Sequence, residues 1–431
     1  MSELSPSRRP PASVLDDLRW RGLIAQSTDE FELGNALAGG PVTFYGGFDP
    51  TARSLHIGNL VLLLTMRRIQ EAGHLPLGLV GGATGLIGDP RMSGERVLNG
   101  PDVVAEWVGR IQTQVEKYLD FSGSHPARIV NNLDWTAPMS AIDFLRDVGK
   151  HFRMGRMLSK EIVSARLHSD EGLSFTEFSY QVLQGMDFLE LNRRYGCLLQ
   201  VGGNDQWGNL TSGTELIRKA EGKASHALTT PLITKADGTK FGKTEGGTVW
   251  LDADLTSPYA FYQFWFNTED ASVDGYLKVF SFRSREELEQ LAAATADRPH
   301  AREAQRALAS EVTTLVHGER ATQAVIAASG ALFGRGELHD VDESTLEAAL
   351  TEAGLHEVPG PVRTVVDLMR SSGLASSSSE ARRTIAEGGA NINNQRINDP
   401  DHVPAPSDLL HGRFLVIRRG KRAVAGISVA R

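Results

Sequence analysis

Cysteine is nearly absent: Cys197 is the only one in 431 residues. That excludes an internal disulfide and any zinc site built from several cysteines. It leaves Cys197, in the apolar stretch CLLQV, as a small buried side chain. Long apolar runs are missing too. The stretch Leu60 to Leu64 falls far short of a membrane span, and MSELSPSRRP at the N-terminus has no apolar core behind its charges, so it does not read as a signal peptide. Repeats are absent. A cytoplasmic protein with no membrane partner is the expectation.

What is present is the composition of a soluble globular chain, 41% apolar and 23% charged, long enough for two or three domains. The net charge of −8 is unevenly spread: from Pro361 onward there are 11 Lys+Arg against 6 Asp+Glu, and in the rest 34 against 47. A basic tail on an acidic body suggests a tail that meets a polyanion, a reading that charge alone does not separate from a cationic solvated surface.

The chain is organised around residues 45 to 60, YGGFDPTARSLHIGNL. An apolar, β-prone PVTFY precedes it and a helical pattern, NLVLLLTMRRIQEAG, follows, which predicts a strand, a glycine-rich turn and a helix. A helix start of this kind offers free backbone N–H groups and a positive dipole end, both suited to phosphate. Strand and helix patterns then alternate to about residue 225, predicting an α/β fold with a doubly wound, mostly parallel sheet whose ligands sit outside the C-terminal strand ends. Glycine turns at Gly46, Gly81 and Gly202 are expected there. The stretch GGATGLIG, ending at Asp89, is a weak dinucleotide fingerprint, since no ribose-binding carboxylate follows at the right distance. It reads better as a turn that lets backbone approach a ligand. The expected organisation is a catalytic domain over 1–247, a helical domain over 248–335, a linker over 336–360 and a small α+β module over 361–431. The aromatic run PYAFYQFWF and Trp207 read as core.

Two tetrapeptide-scale motifs sharpen this. HIGN at 56–59 resembles the HIGH signature of class I aminoacyl-tRNA synthetases, and KFGKT at 240–244 resembles their KMSKS loop, in that order and about 180 residues apart. YGGFDPTA, VGGATGLIGDP, FSYQVLQGMDF and GGNDQWGN resemble the bacterial tyrosyl-tRNA synthetases over nearly the whole chain. The tail from Val362 resembles the small RNA-binding domain named after ribosomal protein S-four.

The resemblance implies a Rossmann-like catalytic domain and a two-step reaction: tyrosine and ATP give tyrosyl-adenylate, and the tyrosyl group then passes to tRNA. An ionised carboxylate attacking a phosphate requires no general base, so catalysis rests on orientation and on donors aimed at the phosphates. Thr51, His56, Asn59, Lys240, Lys243 and Thr244 match the positions that supply them. Asn59 stands where the family usually has a second histidine, which removes a cationic option and keeps a neutral donor. ATP would be held by Gly47, Asp49, His56, Gly58, Asn59, Gly203, Asp205 and Lys243, with Mg2+ accompanying it and no metal site of the protein's own.

For the amino acid, the resemblance assigns the phenolic hydroxyl to Tyr45 and Asp187, the ammonium group to Asp89, Tyr180 and Gln184, and the lining of the cleft to Gln200 and Gln206. Spacing agrees in part, since Tyr180, Gln184 and Asp187 fall on one helix face. Tyr45 and Asp187 also argue against a tryptophan enzyme, because indole offers only a donor. The other alternative is a non-catalytic RNA-binding relative, which the intact motifs disfavour. Arg382, Arg383, Arg413, Arg418, Arg419, Lys421 and Arg422 are the expected contacts to tRNA(Tyr), and the family implies a homodimer.

Overall fold

The computed structural model describes residues 13–91, 94, 97–170, 172–234, 241–244, 247–359 and 362–429. The chain forms two compact units, one of Met1–Leu251 with Asp274–Phe282, the other of Asp252–Val273 with Arg283–Arg431.

The first unit is built on a six-stranded sheet: β1 (Gln26–Ser27), β2 (Thr43–Phe48), β3 (Leu75–Val80), β4 (Arg128–Asn131), β5 (Leu199–Gly203) and β6 (His226–Thr230), in the order β1-β6-β5-β2-β3-β4. All neighbours run parallel except β1 against β6. The direction of winding therefore reverses between β2 and β5, and the crevice at their C-terminal ends is where such a sheet receives a ligand. Gly46 and Gly202 lie inside β2 and β5, so the expected turns at these two positions are strand instead. The physical reason at Gly46 is close packing: a Cβ there would meet the Met66 sulfur at 2.5 Å.

The helix Ile57–Glu71 carries Met66 and is buried almost all round, from Ile57 through Leu60–Met66 to Ile69, as befits a helix covered by chain on both sides. The longest helix, Phe175–Tyr195, is capped by Ser174, whose hydroxyl accepts from the Glu177 N–H, and stops at Gly196 in the left-handed region (φ 63°). Tyr45, Leu79, Trp135, Met186 and Phe188 share the core beneath the crevice. Cys197 is buried there as well.

A short hairpin, β7 (Lys243–Thr244) with β8 (Gly247–Thr248), returns the chain to the crevice. Its continuation pairs with the segment ahead of the first long helix: Ile57 N–H donates to Val249 O at 3.2 Å and Leu251 N–H to Leu55 O at 2.9 Å. Residues 274–282 join this unit through two arginines. Arg21 donates to the carbonyls of Lys278 and Ser281, and Arg68 donates to Ser281 O at 2.5 Å.

The second unit packs the helices Pro258–Phe266, Arg285–Asp297, Glu303–His317, Glu319–Leu332 and Glu343–Gly354, followed by a five-stranded sheet with the order β11-β10-β12-β13-β9. Its strands are β9 (Leu355–Val358), β10 (Ala390–Ile392), β11 (Gln395–Arg396), β12 (Phe414–Arg419) and β13 (Ala423–Val429). Tyr259, Phe261, Tyr262 and Trp265 are buried, which accounts for the aromatic run. Residues 336–360 are not a linker. They contain a helix with buried Leu346, Ala349 and Leu350, and β9 pairs in parallel with β13. The polar composition of this stretch hides a strand whose partner lies far along the chain. Among the described residues, no helix is long and apolar enough to cross a membrane.

Candidate active site

A cavity of about 800 Å3 opens at the reversal point of the first sheet. It is lined by Tyr45, Gly47, Asp49, Thr51, His56, Gly58, Asn59, Asp89, Tyr180, Gln184, Asp187, Gln200, Gly203, Asp205 and Gln206. Lys240 lies outside the described residues, as do the side chains of Lys243 and Thr244; the backbone of the latter two forms β7.

The floor is apolar with a few polar groups. Tyr45 in β2 stands in register with Gln200 in β5, and both are buried, at 1% and 3% exposure. Tyr45 Oη, Gln200 Oε1 and Gln184 Oε1 have no hydrogen-bond partner among the described residues. Buried polar atoms left unpaired are costly, so three of them around one cavity point to a ligand that supplies the missing bonds. Asp187 is also buried. One of its carboxylate oxygens accepts from Asn132 Nδ2 at 3.0 Å, the other from Trp135 Nε1 at 2.8 Å. Burial pushes the Asp187 carboxyl up to about 7 against the pull of those two donors. Burial, with the charge of Asp187 beside it, also holds the Tyr45 phenol well above its ordinary range, so Tyr45 stays a neutral donor.

One step nearer the mouth, Asp49 takes hydrogen bonds from Thr84 Oγ1 and from Tyr180 Oη, both at 2.7 Å. Tyr180 therefore points its proton at Asp49 and leaves its oxygen lone pairs for an incoming donor such as an ammonium group. Gly81 is required here, because a Cβ would sit 2.0 Å from Asp49 Oδ1. Asp89 accepts from Gln206 Nε2 at 2.9 Å and Asn209 Nδ2 at 3.3 Å, which ties the end of the GGATGLIG segment to the turn after β5. Asp205 is exposed at the rim. Trp207, half-buried, opens the helix Trp207–Glu221.

The helix start at HIGN differs from expectation. His56 Nδ1 accepts from Gly58 N–H at 3.0 Å, and Asn59 Oδ1 accepts from His56 N–H at 3.1 Å, a reciprocal cap. Ile57 N–H goes to Val249 O, and the N–H groups of Asn59 and Leu60 go to His56 O. None of these N–H groups is free for phosphate, because the hairpin continuation and the histidine ring have already taken them. What remains is the dipole end and the imidazole, which carries its proton on Nε2 when neutral, since Nδ1 is an acceptor. Asn59 earns its place as the acceptor of the cap. Gly58 is obligatory, as a Cβ would lie 2.8 Å from the ring.

The sequence pattern does not single out Thr84, Asn132, Trp135 or Arg166. Asn132 follows β4 at a C-terminal strand end, the one signal that points to it. Arg166 is 1% exposed and pairs with Glu177, equally buried, at 3.0 Å. Its other N–H groups reach the carbonyls of Arg91, Gly94 and Gly172 at 2.9, 3.0 and 3.1 Å, anchoring the segment that follows Asp89.

In the second unit, Arg419, Lys421 and Arg422 line one depression with Gly373 and Leu374. Arg383, Lys421 and Arg422 are exposed. Other tail cations are engaged internally: Arg382 with Asp401, Arg413 with Glu347 and Arg419 with Glu380. The Arg418 Nε is buried.

The family described as tRNA synthetases class I (W and Y) matches residues 37–334, and a tyrosine–tRNA ligase C-terminal domain matches residues 346–425. The chain belongs to the class I aminoacyl-tRNA synthetases. This synthetase is 64% identical over 417 residues to the tyrosine–tRNA ligase of Streptomyces avermitilis, covering 96% of this chain and 99% of that one. Among solved structures, it is similar to a C-terminally truncated mitochondrial tyrosyl-tRNA synthetase of Coccidioides posadasii (31% identity, TM-score 0.65, 73% of this chain and 91% of that one). A tryptophanyl-tRNA synthetase of Encephalitozoon cuniculi, 13% identical with a TM-score of 0.52 over 77% of this chain and 89% of that one, shares the fold.

Proposed function

We propose that the chain is a tyrosine–tRNA ligase: it activates L-tyrosine with ATP to tyrosyl-adenylate and pyrophosphate, then passes the tyrosyl group to the 3′ end of tRNA(Tyr). The observation that carries this reading is the floor of the cavity, where Tyr45 and Gln200 hold unpaired oxygens beside a buried Asp187. A phenolic hydroxyl can donate to Asp187 and accept from Tyr45. Phenylalanine would leave the buried Tyr45 hydroxyl unpaired and give the Asp187 carboxylate no donor beyond Asn132 and Trp135, which is the physical basis of strong rejection.

With the phenol at the floor, Asp89, Gln184 and the Tyr180 oxygen take the ammonium group. The substrate carboxylate then faces the α-phosphate of Mg–ATP, whose ribose meets Gly203 and Asp205. The carboxylate is the nucleophile as it arrives, so no side chain removes a proton. Thr51, the His56 Nε2–H, Lys240, Lys243 and Thr244 stabilise charge on the phosphates as the bond to the leaving pyrophosphate breaks. Mg2+ enters with the triphosphate as part of the substrate.

Arg383, Lys421 and Arg422, with the neighbouring cations of the tail, contact tRNA phosphates, which makes charging salt-sensitive. A homodimer is supported by an unusual set of exposed apolar side chains between Leu133 and Phe175, including Ile142 (69%), Met154 (58%) and Phe175 (76%). The similarity to bacterial tyrosine–tRNA ligases supports a cytoplasmic enzyme.

The deciding experiment is amino-acid-dependent ATP–pyrophosphate exchange with tyrosine, phenylalanine and tryptophan, in wild-type protein and Asp187→Ala. Exchange with tyrosine alone, lost or relaxed in the variant, is the expected outcome. Exchange with tryptophan would overturn the substrate, and no exchange at all would overturn the activity.

A further inference from the structure

The KFGKT hairpin rests on a residue that no motif marks. Tyr276 is 7% exposed and belongs to the segment 274–282 that Arg21 and Arg68 pin to the first unit. Its hydroxyl donates to the carbonyl of Thr234 at 3.0 Å, and its ring lies 4.5 Å, centroid to centroid, from that of Phe241. Phe280, one turn further along the same helix, places its ring 5.8 Å from Phe241. Thr234 and Phe241 both line the cavity. Tyr276 thus holds the cavity wall at two points in sequence, just before and within the KFGKT motif.

The exit of the motif is fixed with equal economy of space. Gly242 adopts φ +82°, and a Cβ there would meet Ile57 Cγ1 at 2.7 Å. Gly242 O accepts from Val249 N–H at 2.9 Å, and Val249 O accepts from Ile57 N–H. Phe241 and Gly242 are therefore pressed between the Tyr276 ring and the first residue of the HIGN helix. The next residue is Lys243. Small movements at Phe241 pass directly into where that lysine leaves the backbone.

We propose that Tyr276 is a positioning residue for adenylate formation. Through its hydrogen bond to Thr234 and its ring contact with Phe241 it sets the hairpin from which Lys243 reaches the phosphates, without touching substrate itself. The proposal rests on the reading of Lys243 as a phosphate-contacting residue. It does not involve Tyr45, Gln200, Tyr180, Gln184 or Asp187 at the tyrosine end of the cavity, which come from β2, β5 and the helix Phe175–Tyr195.

The test uses the full-length enzyme and four variants: Tyr276→Phe, Tyr276→Leu, Phe241→Leu and the Tyr276→Leu/Phe241→Leu double. Single-turnover adenylate formation, tyrosine dissociation constant and melting temperature are measured for each. Tyr276→Phe keeps the ring and loses one hydrogen bond, so it should fold normally and slow adenylate formation by about threefold to tenfold, with tyrosine binding unchanged. Tyr276→Leu should be slower still. The double variant should be no slower than the slower single, because both substitutions break the same contact. Rates within twofold of wild type in both Tyr276 variants would overturn the proposal. So would additive effects, or a loss of tyrosine affinity that tracks the loss of rate, since either would mean general structural damage. Lys243→Ala run alongside separates the two readings: an unchanged rate there would overturn the role of the hairpin lysine, whatever Tyr276 does.

Discussion

Tyr45 and Gln200 face each other in register across β2 and β5, and each holds a buried oxygen without a partner among the described residues. In the free protein such an arrangement is a cost, of about 1–3 kcal/mol for an unpaired buried group. It is retained where a ligand's hydroxyl completes the pattern.

Replacing Tyr45 by Phe is therefore expected to separate stability from selectivity. Unfolding by urea should give a free protein as stable as wild type or more stable by about 1 kcal/mol. Pyrophosphate exchange should show kcat/KM for tyrosine reduced by about tenfold and discrimination against phenylalanine reduced with it. Unaltered discrimination would take Tyr45 out of the hydroxyl-reading set.

Asp187 predicts a pH dependence. Its carboxyl sits at about 7 in the folded protein because it is buried, while the unfolded chain has about 3.9. Between those values the folded state holds a proton that the unfolded state has lost, so this group's contribution to stability declines as pH rises through that window. Substrate binding runs the other way. The ionised carboxylate is the acceptor for the phenol, so tyrosine affinity should increase as pH rises through about 7 and then level off. Isothermal titration between pH 6 and 8.5 checks this, and Asp187→Asn should bind weakly with a flat profile.

Arg166 and Glu177 form an ion pair at 1% exposure on each side. Arg166→Met would remove the buried ion-pair partner of Glu177 and the N–H groups that reach three carbonyls, at a cost of about 3–5 kcal/mol, readable as a lower urea midpoint. Arg166→Lys keeps the charge but cannot reach four acceptors in different directions. It should retain most of the stability lost in the methionine variant while raising the KM for tyrosine, because the segment behind Asp89 loses its anchor. Equal KM values in Lys variant and wild type would confine Arg166 to a stability role.

The proposed homodimer is tested at an exposed aromatic. Phe175 is 76% exposed at the first position of the helix Phe175–Tyr195. Phe175→Asp should leave the fold intact, as an acidic residue is favourable at a helix start, and shift sedimentation equilibrium toward monomer. An unchanged mass would place the interface elsewhere.

Much of this was legible in the sequence because it is local. HIGN, GGNDQWGN and the spacing of Tyr180, Gln184 and Asp187 each lie on one element or on the short join between two neighbours in sequence, and periodicity places those elements. What escaped depends on partners far along the chain. The N–H of Ile57 looks free until Val249 arrives. Asn132 and Trp135 gain meaning only when Asp187 packs against them, and β9 reads as polar linker until β13 lies beside it. Gly46 reads as a turn because glycine is common in turns, yet the close approach of Met66 is what demands it.

The parallel pairing of β9 with β13 sets where this chain can be divided. A cut at residue 361 would strip β13 of β9, one of its two neighbours, and present a row of unpaired backbone groups flanked by Ile427, an invitation to self-association. It would also remove Leu350, which packs over Gly426. The smallest transplantable C-terminal cassette therefore begins ahead of Glu343, and a graft made there carries its own edge protection with it.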